Sequence, residues 1–287
     1  MDINLLGYIP NAEKILGSAG HATSSKESGY EFYQHIKPKE IDTMIKFAKR
    51  MKLGSVLDFP YINFCVKNCS RAATHQFVRH RMAAYMQQSL RYTEIDAELK
   101  SRDPWFVVPP TIIEKGKSST VEYIKQQLRA GKVYNRLLKM GIPGEDSRFA
   151  LPIGTKTHIS AAMDTEEVLH IIYQRSCFDA QWEIRKLAYG LYALGRTVYP
   201  RIFKDTGPSC ITENVCRGRE KGRCKNEVKD ILLKIDEEID KRRSGGLDLT
   251  PILGYTAPDD LEEEVAKELG IEDINLDHKI VCHVKKY

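Results

Sequence analysis

No stretch of this chain reaches the ~18 consecutive apolar residues that a membrane-spanning helix requires. The opening residues, MDINLLGYIPNAEK, lack the basic segment and long apolar run of an export signal. A cytoplasmic protein that engages no membrane is the expectation. Cysteine is scarce and odd in number, seven in 287 residues, which excludes a disulfide scaffold and fits reduced thiols. A dominant charge is missing as well. Lys plus Arg 44 against Asp plus Glu 39 leaves a formal +5, so no nucleic-acid partner is expected from charge. Internal repeats are absent, which argues against a solenoid. What remains is an ordinary globular composition, 42% hydrophobic and 29% charged, enough for one large domain with an appendage.

The pattern along the chain predicts a strand over Ile3 to Tyr8 that ends at Pro10, then a polar loop through Ser25. In PKEIDTMIKFAKRMK, Ile41, Met44, Ile45, Ala48 and Met51 recur at three- and four-residue steps, the helical period. Tyr61 to Cys69 reads as a strand, and Ser70 as the N-cap of a helix through RAATHQFVRHR. A loop around Trp105 to Pro110 precedes a long helix, VEYIKQQLRAGKVYNRLLKM, with a break expected near Gly131, and then a short helix after Gly144. THISAAMD suggests a strand, Thr165 to Tyr173 a helix, and Ala180 to Tyr199 a longer, buried helix. Composition changes near residue 225. Residues 1–225 are therefore expected to form the main domain, and 226–287 a charged helical extension with a helix at Lys229 to Arg243 and a Gly-Gly break.

The densest polar cluster lies in QFVRHRMAAYMQQSLRY, where Arg79, His80, Arg81 and Arg91 fall within thirteen residues. Guanidinium forks bind phosphate bidentately and stack on planar rings, so this cluster suits a nucleotide. On spacing alone it equally suits a solvated basic helix face.

The full pattern decides between them. Arg79, His80 and Arg81, seven residues and then Ser89 make the RHR-x7-S signature, and the chain here resembles the flavin-dependent thymidylate synthases, the ThyX family. SRAATHQFVRHR, QQSLRY and RSCFDAQWEIR, with Arg175 five residues before AQWEI, carry the likeness, which extends more weakly from Asn4 to Cys224. The resemblance implies an α/β (α+β) fold, a central sheet packed with helices, in a homotetramer with shared active sites. It further implies FAD as cofactor, NADPH and methylenetetrahydrofolate as cosubstrates, and reductive methylation of dUMP to dTMP. By position, Gln76, Arg79, Gln87, Ser89, Arg91, Arg148 and Arg175 match substrate-binding residues, with Ser89 beside the reacting ring and Arg175 polarising the uracil at N3. Arg175 and Ser89 are thus the expected catalytic pair. Ser55, Arg79, His80, Arg81 and His170 match flavin-contacting positions, Ser55 reaching the flavin of a neighbouring subunit. Without the resemblance, His170 would read as a structural histidine.

The chain departs from the family pattern on the flavin side. KLGSVLDF has Leu53, Asp58 and Phe59 where the family has His, Glu and His, and Asp164, Thr165 and Glu166 replace its Asn-x-Arg. A carboxylate at close range repels a pyrophosphate. Two alternatives follow: a relative modifying C5 of UMP or dCMP, and a non-catalytic nucleotide-binding paralogue that has lost flavin.

Cys210, Cys216 and Cys224 lie in a cationic loop, spaced C-x5-C-x7-C without a CxxC knuckle. Structural zinc takes four ligands, so free thiols and no metal are the expectation, with a fourth ligand from elsewhere in the chain or another subunit left open. In the tail, Leu261, Val265 and Leu269 predict one apolar stripe on a short acidic helix whose partner the sequence does not identify.

Overall fold

In the computed structural model, residues 1–100, 102–219, 221–241 and 246–284 are described. Six strands form one sheet: β1 (Asp2–Tyr8), β2 (Tyr61–Ser70), β3 (Ala83–Gln87), β4 (Lys156–Asp164), β5 (Gly246–Asp248) and β6 (Val281–His283), in the order β3-β4-β2-β1-β6-β5. Neighbours are antiparallel except β1 and β6, which run parallel with Asp2 beside Val281. The α/β architecture expected from the sequence is the one observed.

Alternation places the core. Ile62, Phe64 and Val66 of β2 and Ile159, Ala161 and Met163 of β4 point inward, while Tyr61 and Asn63 face out. Against this inner face lies the Trp182–Val198 helix, buried along most of its length by Ile184, Leu187, Ala188, Leu191 and Leu194. It comes so near β1 that a Cβ added at Gly190 would stand 2.1 Å from Ile3 Cδ1. A larger residue there would force the Ile3 side chain to shift or the helix to back away from the sheet.

Several elements differ from the sequence reading. The segment expected as a polar loop through Ser25 contains the Ala12–Ala22 helix, which turns Ala12, Leu16, Gly17 and Gly20 toward the Pro38–Met51 helix. A face built of Ala and Gly carries little hydrophobic signal, which hides its period. A further helix, Gly29–His35, has a capping box between Ser28 and Glu31 that the reading overlooked. No break occurs at Gly131. The Lys117–Lys139 helix runs through it, and the glycine is there because the Ala97 carbonyl would lie 2.4 Å from any Cβ.

The extension contains the expected helices, Lys225–Lys241 and Asp259–Leu269, and adds β5 and β6 to the sheet, which the sequence reading lacked. Arg243 and the first glycine of the Gly-Gly break fall outside the described residues. Val228, Leu232, Ile235, Leu247 and Ile280 join the main core. The acidic helix buries Leu261 and Val265 in a second cluster with Phe106, Val108, Val121 and Ile124, and Leu269 packs at its margin. Its apolar stripe is thus covered within the chain.

Candidate active site

Two of the sequence blocks meet at the end of β2. Ser70 caps the Arg71–Phe77 helix, its hydroxyl accepting from the Ala73 N–H at 3.0 Å. The Ser70 N–H and hydroxyl both donate to the buried Glu183 carboxylate of the AQWEI block, at 2.7 and 2.5 Å. Desolvation pushes the Glu183 pKa up, and the two Ser70 bonds oppose that rise.

The helix stops at Val78, and the Arg79 and His80 N–H groups fold back onto the Gln76 and Phe77 carbonyls. This tight turn is RHR. Tyr85 of β3 holds it, with its hydroxyl 2.8 Å from the His80 carbonyl and 3.1 Å from that of Phe77. His80 is driven inward, 4% exposed, and there Arg175 Nε donates to its Nε2 at 3.1 Å. Desolvation, then the positive charge of Arg175, brings the His80 pKa down to about 4. The imidazole is therefore neutral at pH 7, with its proton on Nδ1, as the accepted bond requires. Glu167 Oε1 stands 3.8 Å from that Nδ1, so this pair is an electrostatic contact of a neutral ring with a carboxylate and not a salt bridge.

Around this contact opens a cleft of about 560 Å³, lined by Arg79, His80, Arg81, Glu167, His170 and Arg175 with Met82 and Gln174. His170 stands exposed with its ring edge-on to His80 at 5.7 Å, on no apolar face of its helix. Gln76 is half-buried on the last helical turn before RHR. Glu167 and Gln174 are cleft residues that the sequence reading missed. They sit seven apart on the Thr165–Arg175 helix, on the same side as His170, a spacing that the position of His170 could have revealed.

A second group gathers past the other end of β3. Gln87 donates to the Thr74 and Thr157 hydroxyls, Ser89 accepts from the Arg91 N–H, and Arg91 pairs with Glu145 at 3.0 Å. Arg148 donates to the Glu145 carbonyl at 3.0 Å, and with Arg71, Leu90, Phe149 and Leu151 lines a second cavity of about 270 Å³. Arg71, another residue not assigned from the sequence, fixes this region by donating to the Gln88 carbonyl at 2.9 Å. Its Nε is buried without a partner, and desolvation followed by the nearby Arg148 charge lowers its pKa. The two cavities share no residue. Arg175 and Arg148 therefore line separate cavities, one toward each end of β3.

Ser55 lies outside both clefts, exposed on the Gly54–Leu57 helix beside Glu166. The carboxylates that replace the family's Asn-x-Arg take different roles. Asp164 caps the Thr165–Arg175 helix by accepting from the Glu167 N–H at 2.8 Å. Glu166 has its pKa raised by desolvation, then by Asp58 and Asp164. The cleft presents three arginines and the exposed His170 beside the Glu167 carboxylate, and its guanidinium donors fit an anionic planar group such as a flavin.

Residues 4–201 match the family described as Thymidylate synthase complementing protein. A flavin-dependent thymidylate synthase of Saccharolobus solfataricus is 34% identical over 220 residues, covering 76% of this chain and 81% of that protein. One from Geobacter sulfurreducens is 36% identical over 214 residues, covering 74% and 89%. In fold, the chain is similar to the UMP/dUMP methylase PolB from Streptomyces cacaoi bound with 5-Br dUMP, with a TM-score of 0.62 at 18% identity over 70% of this chain and 92% of that one.

Proposed function

The chain belongs to the thymidylate synthase complementing protein family, and from that premise we propose that it is a flavin-dependent thymidylate synthase converting dUMP to dTMP. FAD is the proposed cofactor, with NADPH and methylenetetrahydrofolate as cosubstrates. When bound, the flavin supplies the reducing equivalents, and Arg79, His80, Arg81 and His170 are the residues that would hold it. Ser55 would approach it from a neighbouring subunit. The remainder of the chemistry falls to the protein.

Arg175 is proposed to hold negative charge on the N3 to O4 side of the uracil as C5 becomes nucleophilic, a fixed cation where charge develops. Its Nε is already committed to His80, which leaves the Nη groups for the ring. Arg79, Arg91 and Arg148 would take the phosphate, Gln76 and Gln87 would bind the nucleotide, and Ser89 would stand beside the reacting ring.

The observation that carries this reading is the division of these groups between two cavities at opposite ends of β3. A site completed by a neighbouring subunit would bring such separated groups onto one nucleotide, the arrangement expected of a homotetramer with shared sites. Exposed Met82 and Met86, 70% and 79% accessible at the sheet-edge strand, offer apolar surface for that contact. Among the described residues no helix is long and apolar enough to cross a membrane, and a cytoplasmic location is proposed. Residues 1–225 are proposed as the catalytic part, with 226–287 an extension built onto its sheet and core.

The test is spectroscopic and chemical. Purified protein incubated with FAD and desalted should stay yellow, bleach with anaerobic NADPH and release dTMP when given dUMP and methylenetetrahydrofolate. Product from UMP or dCMP alone, or protein that binds dUMP without retaining flavin, would overturn the reading.

A further inference from the structure

The Glu167 carboxylate lines a cationic cleft and pairs with none of its arginines. Arg79, Arg81 and Arg175 line the same cleft. Yet among the described residues His80 is the only basic side chain that Glu167 meets at ion-pair distance, with Oε1 3.8 Å from Nδ1. Both side chains are sequestered, His80 3% and Glu167 9% exposed, so salt and water screen this contact little.

The fold places His80 between two residues of one helix. Glu167 lies in the first turn of the Thr165–Arg175 helix, where its N–H is bonded to the capping Asp164 carboxylate, and Arg175 is the last residue. Eight residues separate them, a rise of ~12 Å along the axis. The imidazole delivered by the RHR turn touches both, Glu167 at Nδ1 and the Arg175 Nε–H at Nε2. His170 meets the ring only edge-on at 5.7 Å, and the Tyr85 hydroxyl bonds the His80 carbonyl, not its ring.

A neutral imidazole offers one N–H and one lone pair. Arg175 Nε–H requires the lone pair at Nε2. A carboxylate at 3.8 Å is too far for a hydrogen bond, but its charge favours an N–H pointing toward it. The two demands select the same tautomer. In the other tautomer an Nε2–H would confront the Arg175 Nε–H, donor against donor, and the Nδ1 lone pair would confront the carboxylate.

We propose that Glu167 is a positioning residue for Arg175 that acts through His80: its carboxylate keeps the imidazole proton on Nδ1, so that Nε2 holds the guanidinium in place. This rests on the reading of Arg175 as the cation that stabilises charge on the uracil. No proton moves in this arrangement. Glu167 sets the direction of a hydrogen bond, and the loss of it loosens the guanidinium without removing it.

The test uses the full chain loaded with FAD. In magic-angle-spinning ¹⁵N spectra of histidine-labelled protein at pH 7, the His80 signals, identified by their loss in His80→Ala, should show a protonated Nδ1 and an unprotonated Nε2. Glu167→Gln, nearly equal in size but uncharged, should draw the two signals toward each other. Should that variant fail to fold, Glu167→Asp, whose carboxylate is drawn back by one methylene, should shift them the same way by less. In turnover, Glu167→Gln should lower kcat about 5- to 10-fold with the KM for dUMP little changed, and should add no further loss in the His80→Ala background. His80 signals unmoved by either substitution, or kcat losses of Glu167→Gln and His80→Ala that multiply, would overturn the proposal. Wild-type protein that makes no dTMP would instead overturn the proposed function, while the ¹⁵N comparison, which needs no turnover, would still decide whether Glu167 sets the His80 tautomer.

Discussion

Arg175 Nε donates to the neutral Nε2 of His80 at 3.1 Å, so the cation proposed to polarise the substrate is held by a ring that is itself buried and uncharged. A charged histidine in this place would repel the arginine. The neutral one fixes its orientation and leaves its charge free for the substrate.

From this pairing, His80→Ala should lower kcat about 10-fold with little change in the KM for dUMP, because it loosens Arg175 without removing it. Arg175→Ala should cost about 10²–10³ in kcat, the scale of losing one charge-stabilising donor. Steady-state kinetics of both variants decide it. Equal losses in KM with kcat intact would mean that Arg175 serves binding alone.

Shared sites predict complementation. Arg175→Ala and Arg148→Ala homo-oligomers should each be nearly inactive. After denaturation and refolding together at equal ratio, roughly a quarter of sites should combine two intact halves and regain activity. No recovery, in a mixture shown by mass to have exchanged subunits, would place each site within a single chain.

His278 predicts a pH effect on stability. Its Nε2 lies 2.7 Å from the Val108 carbonyl, and desolvation, then Lys186, brings its pKa from 6.5 to about 4. Between those values the unfolded chain binds a proton that the folded chain refuses. Stability from this residue is therefore complete at neutral pH and is lost as pH falls from 6.5 to about 4. Each pKa unit corresponds to about 1.4 kcal/mol, so the fall from 6.5 to about 4 is of order 3 kcal/mol. Buried carboxylates such as Glu183, whose pKa is raised, act in the opposite sense, so the difference between variants is the quantity to follow. His278→Gln, which cannot titrate, should show a shallower decline in Tm over that range; parallel curves would refute the assignment.

At Gly190 the packing against Ile3 leaves no room for a methyl group. Gly190→Ala should destabilise by about 1–3 kcal/mol. Ile3→Ala, costly alone, should recover part of that loss when combined with it. A thermal-melt double-mutant cycle with no coupling between the two positions would show that the helix relaxes elsewhere.

Much of this was legible in the sequence where patterns are strong. The β2 alternation, the Ser70 cap and the Pro38–Met51 period all appear where expected, because they depend on residue order alone. The Ala12–Ala22 helix was hidden by its small residues, and Gly131 misled because tight packing and helix breaking both select glycine. At the site, the RHR residues and Arg175 were found through motif and spacing, and Glu167 and Gln174 follow from helical spacing once His170 is placed in the cleft, whereas the Arg71 bond to the Gln88 carbonyl and the cavity it lines with Arg148 needed the fold. They matter through contacts with residues far away in sequence, which local patterns do not encode. The strands β5 and β6, three residues each, are too short to show any period.

The parallel pairing of β6 with β1 also has a consequence for the birth of the protein. A ribosome delivers β1 before every other strand of the sheet, yet one edge of that strand has no partner until Val281 to His283 emerge. Until then the nascent chain carries an unpaired strand edge, the kind of surface that recruits other chains. Clipping or premature termination before β6 would leave the same edge bare permanently. Such shortened chains should be marked by self-association even where the catalytic residues are all present.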